Sequence, residues 1–142
     1  MFRPFSFLHI AVILWIFAGP ALAGDLKITI QGLRNSSGEL RLAIFDKPQE
    51  FPRGAKIQDR DVAAKAGDLT IVFKNLKPGR YALAIHHDEN TNQEMDTNFI
   101  GLPLEGYGFS NNARVFFGPP TFEAASFEMG SGNQAINLRV VY

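Results

Sequence analysis

The chain has 142 residues, no cysteine and a formal net charge of zero at pH 7, with 14 basic and 14 acidic side chains. The absence of cysteine excludes disulfides, thiolate metal sites, cysteine nucleophiles and a lipid-bearing cysteine behind a leader. No basic excess or basic patch stands out, so nucleic acid is not an expected partner.

The first residues, MFRPFSFLHIAVILWIFAGPALAGD, carry the three parts of an export signal. Arg3 supplies the positive start, Phe5 to Ala18 is a mostly apolar run broken by Ser6 and His9, and Ala21-Leu22-Ala23 is a small-x-small cleavage pattern. Gly19 and Pro20 end the apolar run short of the ~20 residues that cross a bilayer. Cleavage after Ala23 is therefore expected, giving a signal peptide over 1–23 and a mature domain over 24–142. That domain has 119 residues, 13 basic against 14 acidic side chains, and no other segment of membrane-spanning length. It is expected in the periplasm or outside the cell, held together by its apolar core alone.

Strand signals then recur in chain order. Leu26, Ile28 and Ile30 alternate with Lys27, Thr29 and Gln31, which puts the apolar set on one face. After the turn cluster Asn35-Ser36-Ser37-Gly38, Leu40, Leu42 and Ile44 alternate in the same way, and the pair reads as a hairpin. Asp46–Gly54 is irregular, with Phe51 expected in the core. Ile57–Ala66 suits a short helix or an edge strand, the strand being preferred. Leu69, Ile71 and Phe73 form the next alternation, and Lys77-Pro78-Gly79-Arg80 has the composition of a type II turn. Tyr81, Leu83, Ile85 and His87 then share one face, with Ala82, Ala84 and His86 on the other. The small alanines mark this segment as a central strand covered on both faces. Arg114–Phe117 reads as a short strand, Phe122–Met129 as another, and Ile136, Leu138 and Val140 close the series. About seven short strands separated by turns predict an all-β antiparallel sandwich of immunoglobulin-like or transthyretin-like type.

The segment His87–Asn112, HDENTNQEMDTNFIGLPLEGYGFSNN, is several times longer than the usual ~4–6-residue connection and dense in polar groups. Asp88, Asn90 and Asn92 occupy alternate positions, with Asp96 at the ninth, which is the oxygen spacing of a calcium loop. Gln93 stands where that loop needs glycine, and Phe99 where it needs a bidentate glutamate. Calcium is thus an alternative to a loop held by its own Asx turns, and no cofactor is expected by default. His86 and His87 project to opposite faces of a strand, so a transition metal would need His87 with carboxylates such as Asp88, Asp96 or Glu105. Ser110, His87 and an aspartate supply the residue types of a small hydrolase, but outside any Gly-x-Ser-x-Gly elbow. A carboxylate pair such as Asp96 and Glu105 could serve glycosidic chemistry if suitably spaced. Tyr107 and Phe109 are expected to anchor the loop.

These residues resemble a known family. Asn75-Leu76-Lys77-Pro78-Gly79-Arg80-Tyr81-Ala82, His87-Asp88-Glu89-Asn90, Asp96-Thr97-Asn98, Gly101-Leu102-Pro103, Glu105 through Asn112, and Phe122–Phe127, read as a strand, are similar to the exported bacterial family catalogued as domain of unknown function 2141. In that family the loop usually reads as an asparagine-glycine turn of calcium type; here Thr91 and Gln93 replace glycines. The resemblance implies an exported β domain similar to transthyretin-like or carboxypeptidase-regulatory-like sandwiches, and no reaction. The expectation is a non-catalytic binding or structural module. His87, Asp88, Asn90, Asp96, Glu105 and Tyr107 are its candidate ligand contacts. Asp88, Asn90, Asn92 and Asp96 would be the calcium donors. A polar small molecule, a glycan or a protein would be its partner.

Overall fold

The computed structural model describes Gly19 and residues 22–142. The leader expected over 1–23 lies outside the described residues, apart from Gly19, Leu22 and Ala23. Two sheets face each other. One holds β1 (Gly24–Leu33), β4 (Gly67–Leu76) and β8 (Gln134–Arg139) in the order β4-β1-β8. The other holds β2 (Glu39–Phe45), β3 (Gln58–Ala63), β5 (Gly79–Asp88), β6 (Gly106–Phe109) and β7 (Ser126–Met129). The all-β sandwich read from the alternation is the fold observed.

The period-two pattern explains the core. Leu26, Ile28 and Ile30 come from one sheet, Leu40, Leu42, Ile44, Leu83 and Ile85 from the other, and all are buried in one cluster between the layers. Burying a side chain of this size contributes roughly 1.5–3 kcal/mol, which lets a cysteine-free domain of this length hold its fold.

Several expected details differ. β1 and β2 do not form a hairpin: β1 pairs with β4 and β8, and β2 with β3 and β5. Residues 34–38 carry the chain across the core from one layer to the other. Alternation reports which face is apolar, and both strands satisfy it from opposite sides of the same core. The Lys77–Arg80 connection also joins the two layers. Gly79 begins β5 without a positive φ, and Asn75 (φ 58°) takes the left-handed position instead.

The sheet is not wholly antiparallel, because β8 runs parallel to β1, with Ile28 beside Ile136. The cause lies in β5. Both β6 and β7 run antiparallel to it along the same edge, β6 beside Ala84–His87 and β7 beside Gly79–Ala82. Two successive strands in one direction leave the next reversal, β8, pointing the same way as β1.

Arg114–Phe117 is irregular rather than a strand, and the strand of this region is β6. Val115 packs against a second apolar cluster, whereas Phe116 and Phe117 are exposed and have no sheet to join. β6 fits because its glycines allow close approach: a Cβ on Gly106 would collide with the Tyr142 ring and Val140. Tyr107 also exchanges backbone hydrogen bonds with Val141, joining the two sheets at this edge. Phe122–Ala125 is one helical turn, α1, whose first free N–H groups are capped by Thr121 accepting from Ala124, and the strand starts only at Ser126.

β5 is central, as its two apolar faces predict. On its outer side Phe45, Ala82, Phe109, Phe122 and Ala125 form the second buried cluster. Phe51, half-buried, meets Phe45, Phe109 and Phe122 edge to face at centroid distances of 5.5–6.1 Å.

Candidate functional site: a groove over the five-stranded sheet

The outer face of the larger sheet can be built from its register. One rung reads Asp61, Arg41, His86, Tyr107, and the next Asp59, Ala43, Ala84, Phe109. The first rung is polar. The second has two alanines at its centre, so the sheet surface is lowest there. β5 and β2 thus make the floor of a groove of about 670 Å³. Its rim comes from the long loop, through Met95, Ile100 and Leu102, and from Phe116 and Phe117. Ile100 is 64% exposed and Phe116 78%. Large apolar side chains left in water around a concavity are the usual composition of a ligand site.

The long loop is held shut at its base. Glu105, 4% exposed, accepts hydrogen bonds from the Glu89 N–H (2.9 Å), the Asp96 N–H (3.2 Å) and the His86 imidazole (2.7 Å). Asp88, wholly buried, accepts from the Asn92 N–H (3.2 Å) and the Gln93 N–H (2.8 Å). Arg34 reaches over from the first crossing. It pairs bidentately with Glu89 at 2.7 and 2.9 Å, donates to the Leu104 carbonyl and lies over the Tyr142 ring. One side chain therefore grips both ends of the loop. The guanidinium holds the Glu89 carboxyl below the usual carboxylate range, and the same bond raises Arg34.

The structure divides the residues expected to form the site. His87, expected as a ligand contact, is wholly buried and does not reach the groove. Strand parity sends its ring to the core face, where Nε2 donates to the Ser37 carbonyl (2.9 Å) and Nδ1 faces the Tyr142 hydroxyl (2.6 Å). The hydrogen positions follow: a carbonyl can only accept, so Nε2 carries the hydrogen and Nδ1 of the neutral ring accepts from Tyr142. Burial raises the Tyr142 phenol above its ordinary value. Glu105, a candidate ligand contact, lines no groove wall of its own. It lies near Asp88 and His86, one donor atom of each within 4.8 Å of the others. Tyr107 is next to His86 on the polar rung.

Asn90, Asn92 and Asp96 lie together but do not aim their oxygens at one point. The Asn90 and Asn92 side-chain oxygens accept from backbone N–H groups, and both amide NH₂ groups donate to Asp96 (2.6 and 3.1 Å). Ser110 is far from a triad arrangement. Its hydroxyl accepts from the Leu83 N–H and donates to the Ala125 carbonyl, while both nitrogens of His87 are bonded elsewhere.

Sequence reasoning missed His86, Arg34 and the groove. His86 had a usable signal, since it shares strand parity with Asp88. Arg34 had none, because its partners lie 55 and 70 residues away.

A cysteine-free β-sandwich with a clamped polar loop beside an apolar groove is the class of protein defined here. Residues 28–137 match the model of the bacterial family described as "Uncharacterized protein conserved in bacteria", DUF2141, and the chain belongs to that family. No curated protein and no solved structure matches it.

Proposed function

We propose that this protein is an exported, non-catalytic binding module that takes a small, mainly apolar molecule with a polar end into the groove over β2 and β5. The observation that carries the reading is the concavity of about 670 Å³ with an alanine floor and exposed aromatic and aliphatic rims. That volume falls within the roughly 300–1,000 Å³ typical of small-ligand sites. The polar rung of Arg41, His86 and Tyr107 offers donors and acceptors to the ligand's polar end. Asn90, Asn92 and Asp96, by contrast, are bonded to one another and to the loop backbone, which favours the groove over the outer part of the loop as the contact surface. Export rests on the leader pattern of residues 1–23.

The test starts from chain recovered from a periplasmic extract, whose N-terminus should be Gly24. 11-(Dansylamino)undecanoate, a fluorescent apolar chain with an acidic end, is titrated in. Saturable one-to-one binding is expected. Ala84→Phe, which fills the floor, should weaken it at least about tenfold, or ~1.4 kcal/mol, with the unfolding midpoint preserved. Equal binding by the variant, or no saturation in either protein, would refute the groove.

A further inference from the structure

We infer that His86, Asp88 and Glu105 form a binding site for one divalent first-row transition-metal ion, opening onto the groove through His86. Each residue offers one donor atom, and the three donor atoms lie within 4.8 Å of one another. His86 and Asp88 are two residues apart on β5 and share its outer face. Glu105 comes from the residue just before β6, the strand paired to β5 at this level. The site is thus built on paired strands, with the loop as its lid.

Charge gives the second argument. Asp88 is wholly buried and Glu105 is 4% exposed. Among the described residues, neither forms an ion pair with a lysine or arginine; the basic group in contact with them is the His86 imidazole, and Arg34, bonded to Glu89 and the Leu104 carbonyl, acts on Glu105 only from a distance. Two carboxylates removed from water side by side, with no lysine or arginine in contact, are a costly arrangement. A divalent cation offsets it. Four backbone N–H groups, from Glu89, Asn92, Gln93 and Asp96, orient the carboxylates. Such outer contacts fix ligand geometry at metal sites. Each carboxylate oxygen has two acceptor positions, so these bonds leave electron pairs for a metal.

Donor chemistry selects the ion. One imidazole nitrogen and two carboxylate oxygens, without sulfur, suit Mn²⁺, Fe²⁺ or Zn²⁺ better than a soft ion, and the nitrogen disfavours Ca²⁺. At bonds of about 2.1 Å, neighbouring donors on one ion lie about 3.0–3.4 Å apart, so donors at the 4.8 Å limit close by roughly 1–2 Å when the ion enters. The hydrogen between His86 Nε2 and Glu105 is displaced on binding: an imidazolium releases it, and a neutral ring carries it on Nδ1. Three protein donors leave positions for water or for the polar end of a groove ligand.

The experiment uses untagged protein, with His9→Ala in any preparation that retains the leader, so that imidazole is confined to residues 86 and 87. Zn²⁺ alone is followed by calorimetry and Mn²⁺ alone by loss of its free-ion paramagnetic resonance signal. One ion per chain is expected. His86→Gln keeps an amide donor to Glu105 but removes the ligand nitrogen, and it should weaken binding at least about tenfold. If His86→Gln binds as tightly as the native chain, the ion sits elsewhere and the assignment falls. Absence of binding by the native chain at about 1 mM metal, an affinity below ~4 kcal/mol, overturns it as well. No groove ligand enters the titration, so its failure and that of the groove reading are separate results.

Discussion

The Tyr142 hydroxyl accepts a hydrogen from the Arg34 N–H (3.0 Å) and passes its own to His87. Removing it strands a donor and a buried acceptor together. Tyr142→Phe is therefore expected to lower stability by about 1–3 kcal/mol, read as a fall in the urea midpoint at unchanged slope. Full native stability would show that the relay does not form. The same residues mark how far sequence can be read at this scale. Strand parity separates His86 from His87 without further information. It does not tell which face meets the core and which meets the loop, because Leu83 and Ala84 are both acceptable inside. His86, and not His87, faces the groove. Arg34 and Tyr142 carried no local cue, since their contacts are set by the packing of distant segments.

At the scale of elements, the crossing from β1 to β2 meets the long loop at Gly38. Its φ of +64° is left-handed, and a Cβ there would strike the Asp88 carbonyl and the Glu89 backbone. Gly38→Ala combines backbone strain with collision against rigid atoms and should destabilise by roughly 2–4 kcal/mol. Thermal unfolding would measure it, and a midpoint within error of the native one would show that the crossing can give way. β3, with the sequence QDRDVA, has no alternation and fits a short helix as well as an edge strand, whereas β1, β2, β4, β5 and β8 were legible from it. Their partners were not: Leu26-x-Ile28-x-Ile30 satisfies a hairpin and a face-to-face layer equally. β6 was hidden because Gly106 and Gly108 look like loop residues until Tyr142, Val140 and Ile85 are placed over them.

For the molecule as a whole, Arg34 is the tie between the first crossing, both ends of the long loop and Tyr142. Its partner Glu89 titrates lower when folded than when unfolded. Such a group adds stability above its unfolded value of about 4.3, and the contribution disappears as pH falls through that value toward the folded one. The Glu89 side chain is 20% exposed and Arg34 45%, so solvent screening limits the pair. About 0.5–1 kcal/mol is a fair expectation. Urea unfolding of native and Arg34→Met proteins between about pH 3 and 7 should show a constant gap above roughly pH 5 that narrows below about pH 4. A gap independent of pH would mean that Arg34 acts through packing alone.

The parallel pairing of β1 with β8 has a temporal consequence. Leu26 lies beside Gln134, more than a hundred positions along the polymer. The three-stranded layer is incomplete until that distant neighbour has been synthesised. Contacts between such remote segments are slow to close. A nascent polypeptide of this design consolidates late, once its last strand is available to seat beside the first.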